Sequence, residues 1–183
     1  MSESMGTPPT VLETERLRLR PFSLEDAPFA MALVNDPDWL RYIGDRNVRT
    51  IQDAESYLRK GPVAMYERLG LGMLVVVLKS TGEPIGTCGL IRRDTLDDVD
   101  IGFAFLPAHR GRGYALEAAK AVLEHGRRDH GLGRIVAIVS RDNERSIRLL
   151  ETLGLRFERT IRMPGDEVEV ALYATPSSSS PRG

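Results

Sequence analysis

The chain has 183 residues, 42% of them hydrophobic and 28% charged, enough to bury the core of one ordinary domain without disulfide or metal support. Its formal net charge of −1 excludes a surface built to neutralise nucleic-acid phosphates or to coat an anionic membrane, so neither is expected as a partner and any charge chemistry must be local. The single cysteine, Cys88, excludes an internal disulfide and a cysteine-rich metal site; with no apolar leader and no apolar stretch longer than residues 73–78, the cytoplasm is the expected location.

Residues 1–10 and 175–183 are rich in Ser, Pro and Thr and are expected to be unstructured, leaving one domain over 11–174. Residues 16–22, RLRLRPF, alternate leucine with arginine at the period of a half-buried strand. Ser23 starts a helix with Glu25 and Asp26 in its first turn, and Asn35 to Pro37 stop it. A second helix runs from about Thr50, carries Ile51, Ala54, Tyr57 and Leu58 on one stripe, and is interrupted at Gly61-Pro62. Trp39 and Tyr42 fall in the link between these helices, as core anchors or as a wall of a substrate pocket. Strands follow at 71–78, 84–92 and 98–106, then a helix from 113 to about 130, a strand at 134–139, a helix from Asn143 to Leu153, and two last strands around LRFERTI and VEVALYA. The order βααβββαβαββ predicts an α/β mixed sheet of about seven strands, mostly antiparallel, with helices on both faces.

Chemistry concentrates at residues 110–115, RGRGYA, where a strand feeds a helix through a turn almost bare of side chains. The first N–H groups of that helix have no partner within it, Gly111 and Gly113 let a ligand approach the main chain, and Arg110 and Arg112 bring cations. Between His109 and Arg148, eight arginines and Lys120 outnumber five acids, although the whole chain is slightly acidic. A phosphate or diphosphate is the natural guest, and a plain connecting loop is the alternative. No lysine follows either glycine, which excludes a Walker loop, and Leu116 breaks the dinucleotide fingerprint.

Arg110-Gly111-Arg112-Gly113-Tyr114-Ala115 resembles the R/Q-x-x-G-x-G/A signature of the GCN5-related N-acetyltransferases (GNAT). DIGFAFLP resembles the family's fourth strand, PIGTCGL its third, and DNERSIRLLETLGLRF the N-x-x-S-x-x-L-L-E-x-L-G-F segment of its ribosomal-protein N-terminal acetyltransferase branch; TERLRLRPFSLEDA and EVALYA resemble that branch too. The likeness runs over about residues 14 to 174. It implies a sheet splayed between its fourth and fifth strands, with acetyl-coenzyme A in the slot. Backbone amides of Arg110, Gly111, Arg112, Gly113, Tyr114 and Ala115 would cradle its diphosphate, and Phe103, Ala104, Phe105, Asn143 and Ser146 would hold its pantetheine arm.

The implied activity is transfer of an acetyl group to a primary amine, of a protein N-terminus or of a small molecule, by direct attack in a ternary complex. Many relatives carry a tyrosine seven residues after the asparagine; Leu150 stands there, which leaves Ser146 or water to protonate the departing thiolate. Asp100 is the candidate base, because crowding by Asp94, Asp97 and Asp98 would raise carboxylate pKa values, and the same acidic group would draw in a cationic amine; a solvated acidic loop is the alternative. Asn143 doubles as a helix N-cap, and His109, His125 and His130 form no metal arrangement. A non-catalytic acyl-coenzyme A sensor is the rival reading, hinted at by Leu150 alone. The chain is expected as a monomer or a homodimer.

Overall fold

A computed structural model describes residues 8–165 and 167–176. The expected unstructured ends lie outside these residues at 1–7 and 177–183. Thr175, by contrast, is buried, donates its N–H to the Ile135 carbonyl at 2.9 Å and accepts the Ile135 N–H at 3.0 Å.

One sheet of eight strands runs through the domain: β1 (Leu12–Glu13), β2 (Leu17–Pro21), β3 (Met73–Leu78), β4 (Pro84–Ile91), β5 (Asp100–Phe105), β6 (Val136–Ser140), β7 (Arg156–Arg162) and β8 (Glu169–Ala174). They lie in the order β1-β2-β3-β4-β5-β6-β8-β7, and every pair is antiparallel except β5 with β6. The strand beyond the expected seven is the two-residue β1, so the expected fourth and fifth strands are β5 and β6.

Alternation builds two cores. Leu17, Leu19, Leu74, Val76, Ile101, Phe105, Ala137, Val139, Ala171 and Tyr173 face the helices α5 (Tyr114–His130) and α6 (Glu144–Thr152). Val75 and Ala104 face α1 (Ala27–Val34), α2 (Pro37–Tyr42), α3 (Ile51–Lys60) and α4 (Pro62–Leu69). Small side chains at Ala118 and Ala119, both 0% exposed, let α5 lie close on the sheet. Arg20 on β2 grips Asp26 at 2.8 and 2.9 Å, and Asp26 accepts the Ser23 N–H, so the strand orients the helix that follows it.

The first helix stops at Val34 with Asn35 as its C-cap, as expected, but the link beyond it is itself helical, where no helix was expected. Asp36 caps α2 by accepting the Asp38 N–H at 3.2 Å, and Pro37 takes the first helical position, where its missing N–H costs nothing. Among the described residues no helix is long and apolar enough to cross a membrane.

Candidate active site

β5 and β6 share a single register pair, Asp100 with Val136, next to a hydrogen bond from the Val136 N–H to the Val99 carbonyl. Beyond it the strands part. β5 pairs with β4 over its full length and β6 with β8, and among the described residues the facing edges of Phe103–Phe105 and Ile138–Ser140 lack a strand partner. This V-shaped gap can take an extended chain bearing amides, as strand addition does.

The mouth of the gap is the RGRG turn. Gly111 and Gly113 have φ of +77° and +83°, the left-handed region, and Gly113 caps α5 without any side chain over the first-turn amides. Gly111 has nothing within 4 Å of where a Cβ would stand. Tyr114 and Ala115 are half-buried in the first turn, and Arg112 is exposed with no ion pair among the described residues. Such a turn can hold a diphosphate on backbone donors, helped by the helix dipole and one mobile cation.

Arg110 is not a second mobile cation, as the sequence led us to expect. Its guanidinium donates to the Phe105 carbonyl at 3.0 Å, to Asp38 at 2.9 Å and to Asp36 at 2.7 Å. Asp36 is 6% exposed at its side chain, so the pair is a largely desolvated clasp. From the other lip of the gap, the Ser140 hydroxyl donates to the Tyr42 carbonyl at 3.2 Å, and Arg41 pairs loosely with Asp142. α2 therefore spans the open end of the V. On its inner side Trp39, 8% exposed, belongs to the second core, and its indole N–H has no hydrogen-bond partner among the described residues. Beside α2 a cavity of about 830 Å³ opens between Arg41, Ser140, Arg141, Asp142, Arg162 and Glu169.

A second clasp lies beneath the turn. Glu117, one turn into α5, accepts the Arg16 guanidinium at 2.7 Å, the Arg16 N–H at 2.8 Å and the Thr14 hydroxyl at 2.6 Å. Burial pushes the Glu117 carboxyl up, but these donors outweigh it and hold the group below its ordinary range. The same guanidinium donates to the Arg112 carbonyl at 3.0 Å and lies 4.5 Å from the Tyr114 ring centre.

On the β6 side, Asn143 caps α6 by accepting the Ser146 N–H at 3.3 Å, and the Ser146 hydroxyl has no partner among the described residues. Leu150 is 1% exposed in the first core. Asp100 lies at the closed end of the V, on the α1–α4 face with Ala104, 2% exposed and paired with Arg93 at 3.0 Å. Its carboxyl is raised, as a proton acceptor requires, but by burial and against the pull of Arg93, not by the neighbouring aspartates. Among the neighbouring aspartates, Asp98 is paired with Arg134 at 2.9 Å.

The structure thus gathers residues 103–105, 110–115, 143 and 146 around one gap and sets Asp100 at its foot. Arg16, Asp36, Asp38 and Glu117 escape a reading of the sequence. Asp-Pro-Asp with proline at the first helical position was the available signal for two of them.

The family model described as an acetyltransferase (GNAT) domain matches residues 16–156. The uncharacterized N-acetyltransferase YoaA of Bacillus subtilis is 33% identical over 153 residues, 83% of this chain and 86% of that protein. The crystal structure of an acetyltransferase (GNAT family) from Bacillus anthracis superposes with a TM-score of 0.75 at 26% identity, over 92% of this chain and 98% of that one. At 17% identity, the RimL ribosomal L7/L12 alpha-N-protein acetyltransferase in complex with coenzyme A shares the fold, with a TM-score of 0.79 over 94% of this chain and all of that one.

Proposed function

Because the chain belongs to the GNAT acetyltransferase family and is an N-acetyltransferase, we propose that it moves the acetyl group of acetyl-coenzyme A to a primary amine, held with the cofactor in one ternary complex. The observation that carries this reading is the unpaired stretch of β5 opening onto the Gly111–Gly113 turn. Its residues fit the cofactor: strand-edge N–H groups of Phe103 and Phe105, with Ala104 between them, for an extended arm, first-turn amides of α5 and Arg112 for a diphosphate, and Asn143 and Ser146 on the opposite lip.

When bound, acetyl-coenzyme A supplies an activated acyl carbon. An arm laid from the turn back along the unpaired edge of β5, from Phe105 to Gly102, covers three residue steps, roughly 10 Å of strand, before β5 and β6 close at Asp100 and Val136. Asp100, at the closed end, takes by way of water the proton that the amine loses, and burial raises its affinity for that proton. An N–H near Phe103–Phe105 donates to the carbonyl oxygen as charge builds there. As the carbon–nitrogen bond replaces the carbon–sulfur bond, Ser146 relays a proton from water to the departing thiolate and is resupplied by that water, so no serine alkoxide is left. The acceptor, a protein N-terminus or a small-molecule amine, enters beside α2, where the cavity lined by Arg41 and Ser140 opens. Thiol release from acetyl-coenzyme A with a panel of amines and N-terminal peptides, read by mass spectrometry, tests the reading; no acetylated product from any of them counts against it.

A further inference from the structure

Arg16 lies outside the gap, yet it touches three residues that shape the mouth. The turn asks an anion to sit on the N-terminus of α5, while Glu117, in that helix's first turn, places a carboxylate beneath the same site. A carboxylate there favours the helix alone but opposes a bound diphosphate. Arg16 answers both demands. Its Nε and backbone N–H, with the Thr14 hydroxyl, occupy the two oxygens of Glu117. Its Nη1 holds the Arg112 carbonyl toward β2 at 3.0 Å, which leaves the neighbouring amides free to face the ligand. Its plane covers the Tyr114 ring, and its Nη2 lies 3.3 Å from where a Cβ on Gly113 would stand.

We propose that Arg16 is a positioning residue for the cofactor's diphosphate: it neutralises Glu117 and fixes the Arg112 carbonyl, so that the turn presents donors and no net negative charge. The proposal rests on the acetyl-coenzyme A reading above. Lysine cannot replace arginine here, since one ammonium cannot reach the carboxylate and the carbonyl in a fixed fork.

Calorimetry of the full chain with free coenzyme A tests it, using Arg16→Met, Arg16→Lys, Glu117→Gln and the Arg16→Met/Glu117→Gln double variant. Arg16→Met should weaken binding roughly tenfold and Arg16→Lys severalfold, while Glu117→Gln stays within about twofold of the parent. The double variant should bind severalfold more tightly than Arg16→Met alone, because the carboxylate it uncovers is gone; a purely architectural role for Arg16 gives no such recovery. Binding by Arg16→Met or Arg16→Lys within twofold of the parent, or no recovery in the double variant, overturns the proposal. If Arg16→Met does not fold, Arg16→Lys against the parent decides. A parent that binds no coenzyme A overturns the cofactor reading itself.

Discussion

Arg110 and Asp36 meet at 2.7 Å across 74 residues of chain, so the residue that opens the glycine turn is fastened to the cap of the helix that spans the gap. Arg110 and Arg112, two residues apart and alike in sequence, consequently have separate duties. Arg110→Ala leaves Asp36 charged and nearly buried, which should cost on the order of 3 kcal/mol of stability in urea melts. Arg112→Ala should leave the melt unchanged within about 0.5 kcal/mol and weaken coenzyme A binding by about 1 to 2 kcal/mol. Interchanged effects would refute this division.

Gly113→Val should abolish coenzyme A binding at a moderate cost in stability. A β-branched residue at φ +83° is strained by about 1 to 3 kcal/mol, and its Cβ presses on the Arg16 guanidinium. Gly111→Ala meets open space, so it should show the strain alone and keep most of its binding. Calorimetry on both variants, with circular dichroism to confirm folding, separates the two outcomes.

Asp100→Asn should lower turnover at neutral pH yet raise stability. Burial lifts the carboxyl above its unfolded value, so the folded state holds the proton more tightly. No cost arises below the ordinary aspartate range; the cost appears as pH rises through the raised folded value and is complete above it. The variant's advantage in thermal melts should therefore be absent near about pH 4 and grow toward about pH 8. Its rate deficit should shrink at high pH, where the amine is already deprotonated. An unchanged rate removes Asp100 as the base.

Ser146→Ala should reduce kcat while leaving coenzyme A affinity within about twofold, since a proton donated to the leaving thiolate matters only in the transition state. Asn143→Ala removes the α6 cap and should cost about 1 kcal/mol of stability as well. Steady-state kinetics at saturating acetyl-coenzyme A, beside urea melts, checks both.

The periodic parts of this fold are legible residue by residue: Leu17 and Leu19 are fully buried in β2, and the alanine stripe of α5 lies against the sheet. α2 was obscured because Pro37 is as good a first helical residue as it is a helix stop, and only the chain beyond it decides. The bare turn before α5 could be read from two glycines. The partners that give it shape could not, because Arg16 and Glu117 are 101 residues apart and nothing local in either stretch names the other. The aspartates misled for the same reason: Asp98 is claimed by Arg134, and the shift at Asp100 comes from burial, which composition does not express.

Trp39 is the chain's single tryptophan, and it sits on α2 in an apolar setting with its indole N–H unpartnered among the described residues. Nature has thereby installed one intrinsic fluorophore on the segment that bridges the two lips, at no risk of overlapping signals. Emission excited on its red edge, beyond tyrosine, reads that segment's seat alone. A blue-shifted band reports the helix in place, a red shift reports its release to water, and neither requires a label or knowledge of which amine the enzyme acetylates.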